Sequence, residues 1–254
     1  MKTAVVVSGL VAVSLVFMFS YDFITQWSYY RAKKINVLGA QRLTPEQVLE
    51  QVGIARDTNI LAVNLTTARK RLLAHPWIAE AEISRELPDQ LTLRITEHQP
   101  LAVLDMGRKF LVNSHGEIFK EWDDSIRDNL PVIQGLTFSD LNAPGEPQSI
   151  PFTAVMEILA LGQKPDSVLP NRIIKKIQVD REIGVTLYAF DETKVIKIGY
   201  QDYPRKYDRL KEILFHMDRK RFFSNIESID LKSLHRIVVN PHKTQAPGQN
   251  AKEA

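Results

Sequence analysis

From Thr3 to Tyr21 the chain carries no charged residue (TAVVVSGLVAVSLVFMFSY), and no other feature constrains its fold as much. At about 1.5 Å per residue, a helix of this length spans a hydrocarbon core about 30 Å thick. A helix buried in a globular core usually carries a polar stripe, whereas here Ser8, Ser14 and Ser20 are the only polar interruptions. The run therefore predicts a single transmembrane helix. Tyr21, Phe23, Trp27, Tyr29 and Tyr30 follow it, as rings do at a membrane-water boundary, with Arg31, Lys33 and Lys34 just beyond. A cleaved signal peptide fits less well, since no small-x-small site such as A-x-A occurs between Phe17 and Ala32. Residues 1–34 are thus read as an anchor with its juxtamembrane segment. Lys and Arg are more numerous after the run than before it, where only Lys2 stands, and that count alone places the body inside the cell.

The body has the make-up of a folded protein. There is no cysteine, which removes disulfide scaffolds, thiolate metal sites and cysteine nucleophiles together. A formal net charge of +3, with basic and acidic residues interspersed, argues against nucleic acid as a partner.

Residues 35–99 read as a small β-α-α-β-β module. A short strand, Ile35 to Leu38, closes at Gly39. Thr44 then supplies an N-cap, Pro45 a first helical residue and Gln47 the far side of a capping box, with Val48, Leu49 and Val52 on the apolar face and Gly53 as the stop. A second helix is expected from Leu65 to about Ala74, ended by Pro76. Ala81 and Ile83 lead into one strand, Pro88 and Asp89 turn, and Leu91, Leu93 and Ile95 alternate with Thr92, Arg94 and Thr96 in the next. Trp77 is expected as a core plug. Arg85 and Arg94 are expected as surface charges on the strands, and Glu97 with His98 as a pair at the domain junction.

Residues 100–241 read as a larger, mostly antiparallel β-domain with flanking helices. Strands are expected at Leu101–Leu104, Phe110–Asn113, Ile118–Lys120 and Leu130–Ile133, with a turn at Asn113 to Gly116. A helix from Phe152 to Leu161 precedes strands at Ile173–Val179, Val185–Phe190 and Lys194–Ile198. Another helix runs from about Pro204 to Phe222. Its basic residues, Lys206 among them, alternate with Asp208, Glu212 and Asp218, which predicts a solvated face. The strings Ile226 to Lys232 and Ile237 to Pro241 close the domain. Residues 242–254 are polar and aperiodic and are read as a disordered tail. The fold class is α+β.

No chemistry rises above background. There is no H-E-x-x-H, G-x-S-x-G, G-x-x-x-x-G-K or G-x-G-x-x-G string. His115-Gly116-Glu117 lacks the cysteines that a zinc-deaminase site would need, and Asp123-Asp124 reads as a turn. No catalytic, cofactor-binding or metal-binding residue is expected, so the chain is read as a non-enzyme.

The ordered landmarks of the first module are Ile35, Val37, Gly39, Asn59, Ile60, the string His75-Pro76-Trp77-Ile78, Arg85, Leu87, Pro88, Glu97 and Pro100. They resemble a POTRA domain of the FtsQ/DivIB cell-division family. Leu130 to Gly135, Lys197-Ile198-Gly199 and Asp230-Leu231-Lys232 resemble that family's C-terminal β-domain, with Lys232 where the family has arginine. The family has a basic segment ahead of its helix, whereas here Met1 and Lys2 alone precede the apolar run; either that segment is lost or the start codon is misplaced. The resemblance implies a bitopic inner-membrane protein, type II, with its body in the periplasm and concentrated at the division septum. Such a scaffold of the divisome binds small bitopic partners of the FtsB and FtsL type and helps regulate septal peptidoglycan synthesis. It further implies that the last strand accepts a partner strand. Carried onto this chain, that edge is Lys232, Ser233, Leu234, His235, Arg236, Ile237 and Val238. The alternative is a POTRA-containing factor of envelope protein assembly or secretion, whose chain would continue into a membrane barrel.

Overall fold

In the computed structural model, the residues described are 2–26, 28–123, 126, 128–141, 149–191, 193–219 and 226–241. They divide into two compact units, Met1–His98 and Gln99–Ala254.

The first unit opens with helix α1 (Lys2–Gln26). Its described side chains run from Val6 to Ser20, about 22 Å of helix. Every large apolar side chain in that stretch is 47–73% exposed, on all sides of the helix. Among the described residues, no helix is long and apolar enough to cross a membrane.

After α1 the unit follows the order β1 (Lys34–Leu38), α2 (Pro45–Val52), α3 (Leu65–Leu73), β2 (Ile78–Glu86) and β3 (Gln90–Glu97). The capping box read from the sequence is present: the Gln47 amide donates to Thr44 Oγ1 and the Thr44 amide to Gln47 Oε1, while Gly53 closes the helix with φ 75°. Helix α3 has a cap that sequence reading passed over, with the Thr67 amide donating to Asn64 Oδ1 at 2.9 Å.

The sheet order is β1-β3-β2. β3 runs parallel to β1 and antiparallel to β2. This central place explains the clean alternation of β3: Leu91, Leu93 and Ile95 are buried under the helices with Val48, Val52 and Leu72, while Arg94 is exposed.

Two side-chain readings in this unit need correction. Trp77 is half-buried and lies outside the core, with the Arg42 guanidinium 4.6 Å from its ring centre. Ile78, 3% exposed, fills the core position instead. Neighbours entering a strand point to opposite faces, so only one of the two can plug the core. Arg94 is a surface charge, 3.3 Å from Glu82, but Arg85 is half-buried and its guanidinium donates to the Val63 carbonyl, tying β2 to the segment before α3.

Among the described residues the second unit has a nine-stranded mixed sheet, order β12-β11-β10-β9-β8-β7-β4-β5-β6. Its strands are β4 (Pro100–Asp105), β5 (Lys109–Asn113), β6 (Ile118–Glu121), β7 (Val132–Gln134), β8 (Ile174–Asp180), β9 (Gly184–Ala189), β10 (Lys194–Gly199), β11 (Ile226–Asp230) and β12 (Val238–Pro241). Five of its strand pairs are antiparallel and three are parallel: β4 with β7, β7 with β8 and β10 with β11. Parallel neighbours need a crossover, and α4 (Ile150–Gly162) and α5 (Tyr203–Arg219) supply two of the three. Phe152, Val155, Ile158 and Leu159 from α4 and Tyr207 and Leu210 from α5 pack with Ile133, Ile177, Leu187, Ile196 and Ile229 in one core.

Candidate partner-binding edge

β11 ends where Asp230 turns its carboxylate back on the chain. Asp230 Oδ1 accepts the Lys232 amide at 3.0 Å, and Oδ2 lies 3.6 Å from Lys232 Nζ. A backbone amide taken by a side chain two residues earlier is lost to a strand ladder, so the chain leaves the sheet here. Gly199, at φ 71°, makes room for it: a Cβ at that position would lie 3.1 Å from Lys232 Cγ and 3.4 Å from its Cα.

The last strand begins only at Val238. Residues Lys232, Ser233, Leu234, His235, Arg236 and Ile237 form the connection between β11 and β12, and Val238 alone of the expected edge residues lies in the strand. This corrects the placement read from the sequence. Antiparallel return beside β11 requires the chain to reverse, and the residues after Asp230 are spent on that reversal.

β12 pairs with β11 through Asp230 with Val238, Ile229 with Val239, Ser228 with Asn240 and Ile226 with Pro241. Ile237 and Val239 are half-buried against the core, and Val238 and Asn240 face outward. Asn240 Nδ2 donates to Ser228 Oγ at 2.9 Å and fixes the register. Among the described residues no strand lies on the far side of β12, so one row of its backbone groups is open to another chain.

Lys206 and Asp140 are among the charged residues buried in the interior of the unit, which the sequence does not predict. Lys206 is 2% exposed, and its Nζ donates to the carbonyls of Ile198 (2.9 Å) and Tyr200 (2.7 Å). Burial pulls its pKa below the usual lysine range, with Asp202 opposing. It is not part of a solvated helix face. Lys220 and Arg221 lie outside the described residues. Asp140, 1% exposed, accepts from the Thr137 amide and hydroxyl and from Arg181 Nη2, all at 2.8 Å. Burial raises its pKa, but those donors together bring it below the ordinary carboxylate value.

Arg181 also lines a cleft of about 560 Å³ with Ile150, Ala154, Tyr200 and Tyr203. Two of its polar groups are engaged within the unit, Arg181 with Asp140 and the Tyr200 hydroxyl with the Asp180 carbonyl at 2.8 Å. Among the described residues no three His, Asp or Glu side chains are grouped to hold a metal. Asn113 organises the His115–Glu117 segment as a turn, its Oδ1 accepting the amides of His115 and Glu117. Lys120 pairs with Asp123; Asp124 lies outside the described residues.

The comparison with known families decides what kind of protein has this architecture. Residues 30–98 match the profile described as "POTRA domain, FtsQ-type", and residues 102–232 match "Cell division protein FtsQ/DivIB, C-terminal". The chain belongs to the FtsQ/DivIB family. Cell division protein FtsQ of Geotalea daltonii is 28% identical over 242 residues, covering 94% of this chain and 86% of the relative. FtsQ of Anaeromyxobacter sp. is 32% identical over 189 residues, covering 74% and 63%. Cell division protein DivIB of Clostridium tetani is 24% identical over 120 residues, covering 47% and 45%. The FtsQ/DivIB C-terminal match stops at Lys232, so β12 lies beyond it.

Proposed function

We propose that this FtsQ/DivIB protein is a non-enzymatic, single-pass scaffold of the divisome, with α1 in the inner membrane, its body in the periplasm and its place at the septum. In this reading it captures partners of the FtsB and FtsL type and through them helps regulate septal peptidoglycan synthesis. The observation that carries the reading is the open edge of β12, joined to family membership. An unpaired strand recognises an incoming strand mainly by backbone hydrogen bonds. The apolar residues exposed all around α1 support the anchor, since a helix without a polar face suits lipid better than water.

Alternate residues of β12 point their amides to opposite sides. Val239→Pro and Asn240→Pro therefore bracket the two rows, one facing β11 and the other facing the partner. The proline that removes an outward amide is expected to abolish co-purification of the FtsB-type protein while leaving the circular dichroism of the body unchanged. Undiminished co-purification with both variants would rule the edge out. A fluorescent fusion spread evenly round the membrane through the cell cycle would remove the septal role.

A further inference from the structure

The chain leaving α1 has no free linker of useful length. α1 ends at Gln26, and Tyr30 is already tied into the POTRA unit, its carbonyl accepting the Ile60 amide at 2.9 Å. The Ala32 amide donates to the Thr58 carbonyl at 2.9 Å, Arg31 bridges to Asn59, and Ala32 is 4% exposed. Four residues of covalent chain reach at most about 14 Å. The end of the POTRA unit that holds Tyr30 is therefore held within that distance of the point where α1 stops.

The strand register identifies what else sits at that end. β1 and β3 are parallel with Lys34 opposite Gln90, and the Lys33 amide donates to the Asp89 carbonyl, so the β2–β3 hairpin tip lies beside the start of β1. Leu87, in that tip, is 65% exposed. Arg56 comes to the same end on the loop whose Thr58 and Asn59 pair with Ala32 and Arg31. Tyr29, Arg31, Lys33, Lys34 and Arg56 are all exposed. The acidic groups there are Asp57, Glu86 and Asp89, the last 3.4 Å from Lys33 Nζ. Four cations against three carboxylates give little net charge. The tether and the apolar tip, more than long-range attraction, hold this end at a surface.

We propose that the end of the POTRA unit formed by the Leu87 hairpin, Arg31–Lys34 and the Arg56 loop rests on the bilayer, with Leu87 among the head groups and the four cations on lipid phosphates. The proposal rests on the reading of α1 as the anchor. It also gives the cations on the trailing flank of α1 a role: they are contacts of a folded surface with the bilayer it lies on. An apolar residue ringed by Lys and Arg is the composition that binds an interface without crossing it.

The chain has no cysteine, so single reporters can be placed in the full-length protein. Glu86→Cys and Arg56→Cys probe the proposed contact, Ser14→Cys probes the anchor, and Glu80→Cys, opposite Thr96, probes a point about 20 Å along the sheet from Gln90. Each is labelled with an environment-sensitive fluorophore and reconstituted into phosphatidylethanolamine–phosphatidylglycerol vesicles that carry nitroxide lipids. Quenching at positions 86 and 56 several-fold above that at 80, reduced at 86 by Leu87→Ser, is the expected result. Quenching at 86 and 56 no greater than at 80, with position 14 still quenched, would overturn the proposal and leave the anchor standing. Loss of quenching at 14 would remove the anchor reading and this proposal with it.

Discussion

Glu97→Gln tests how the POTRA unit is held together. Glu97 is 5% exposed at the end of β3, and its carboxylate accepts three backbone amides: Gln41 (3.0 Å) and Leu43 (3.0 Å) on Oε1 and Arg42 (2.8 Å) on Oε2. These amides belong to the segment that delivers Thr44 to the cap of α2. Burial alone would raise the Glu97 pKa, but the three amides and the Arg42 charge hold it below the ordinary glutamate value. Glutamine is nearly the same size but has one accepting oxygen. Whichever way its amide turns, at least one backbone N–H loses its acceptor and faces an NH2 group. One buried unsatisfied donor, together with charged hydrogen bonds replaced by neutral ones, amounts to about 2–4 kcal/mol.

The pH dependence has a fixed sign. A carboxylate whose folded pKa is lowered stabilises the fold above its unfolded value near 4.5, and this contribution is lost as pH falls through the lower folded value. A chain of two units need not unfold in a single transition, so the assay is local: hydrogen exchange at the amides of residues 41–43 at pH 7. In the variant those amides should exchange on the order of 10–1000 times faster, and the deficit relative to wild type should shrink as pH falls below about 4. Unchanged exchange, or a deficit that is the same at pH 3 and pH 7, would refute the argument.

Two further outcomes follow from the second unit. Gly107 and Gly135 share φ 92°, but a Cβ on Gly107 meets nothing within 4 Å, whereas on Gly135 it would lie 2.0 Å from the Val179 carbonyl oxygen. Alanine at position 107 should cost about 1–2 kcal/mol of strain and at 135 distinctly more, a difference readable from paired urea midpoints. Lys206→Ala leaves the Ile198 and Tyr200 carbonyls without their donor and should destabilise this unit by about 2–4 kcal/mol; a wild-type melting curve would mean that water replaces the ammonium.

What could be read from the chain was local. The capping box at Thr44 and Gln47, the stop at Gly53 and the alternation of Leu91, Leu93 and Ile95 depend on neighbours a few residues apart, and the folded protein has each of them. Relations set at long range were missed. Nothing near Glu97 in sequence says that its acceptors serve residues 41–43, more than fifty positions earlier. Lys206 looks like its basic neighbours on α5 until the end of β10 brings two carbonyls to it. The edge carried over from the resemblance begins at Lys232, directly after the Asp230-Leu231 pair, whereas the strand begins at Val238; the local signal for the intervening turn is Asp230, a short carboxylate two residues before the amide that it captures. The three parallel pairings were equally hidden, since which strands become neighbours across a crossover is decided by the whole sheet.

The order in which the sheet can be assembled gives its last strand a further property. Among the described residues β12 has β11 as its only strand neighbour, and β11 joins the rest through three residue pairs with β10, reached by way of α5. A chain emerging amino end first cannot present this edge until the strands ahead of it and the α5 crossover have found their places. If β12 accepts a partner strand as proposed, competence to recruit that partner is deferred to the completion of folding, and a stalled or truncated molecule lacks the proposed docking edge.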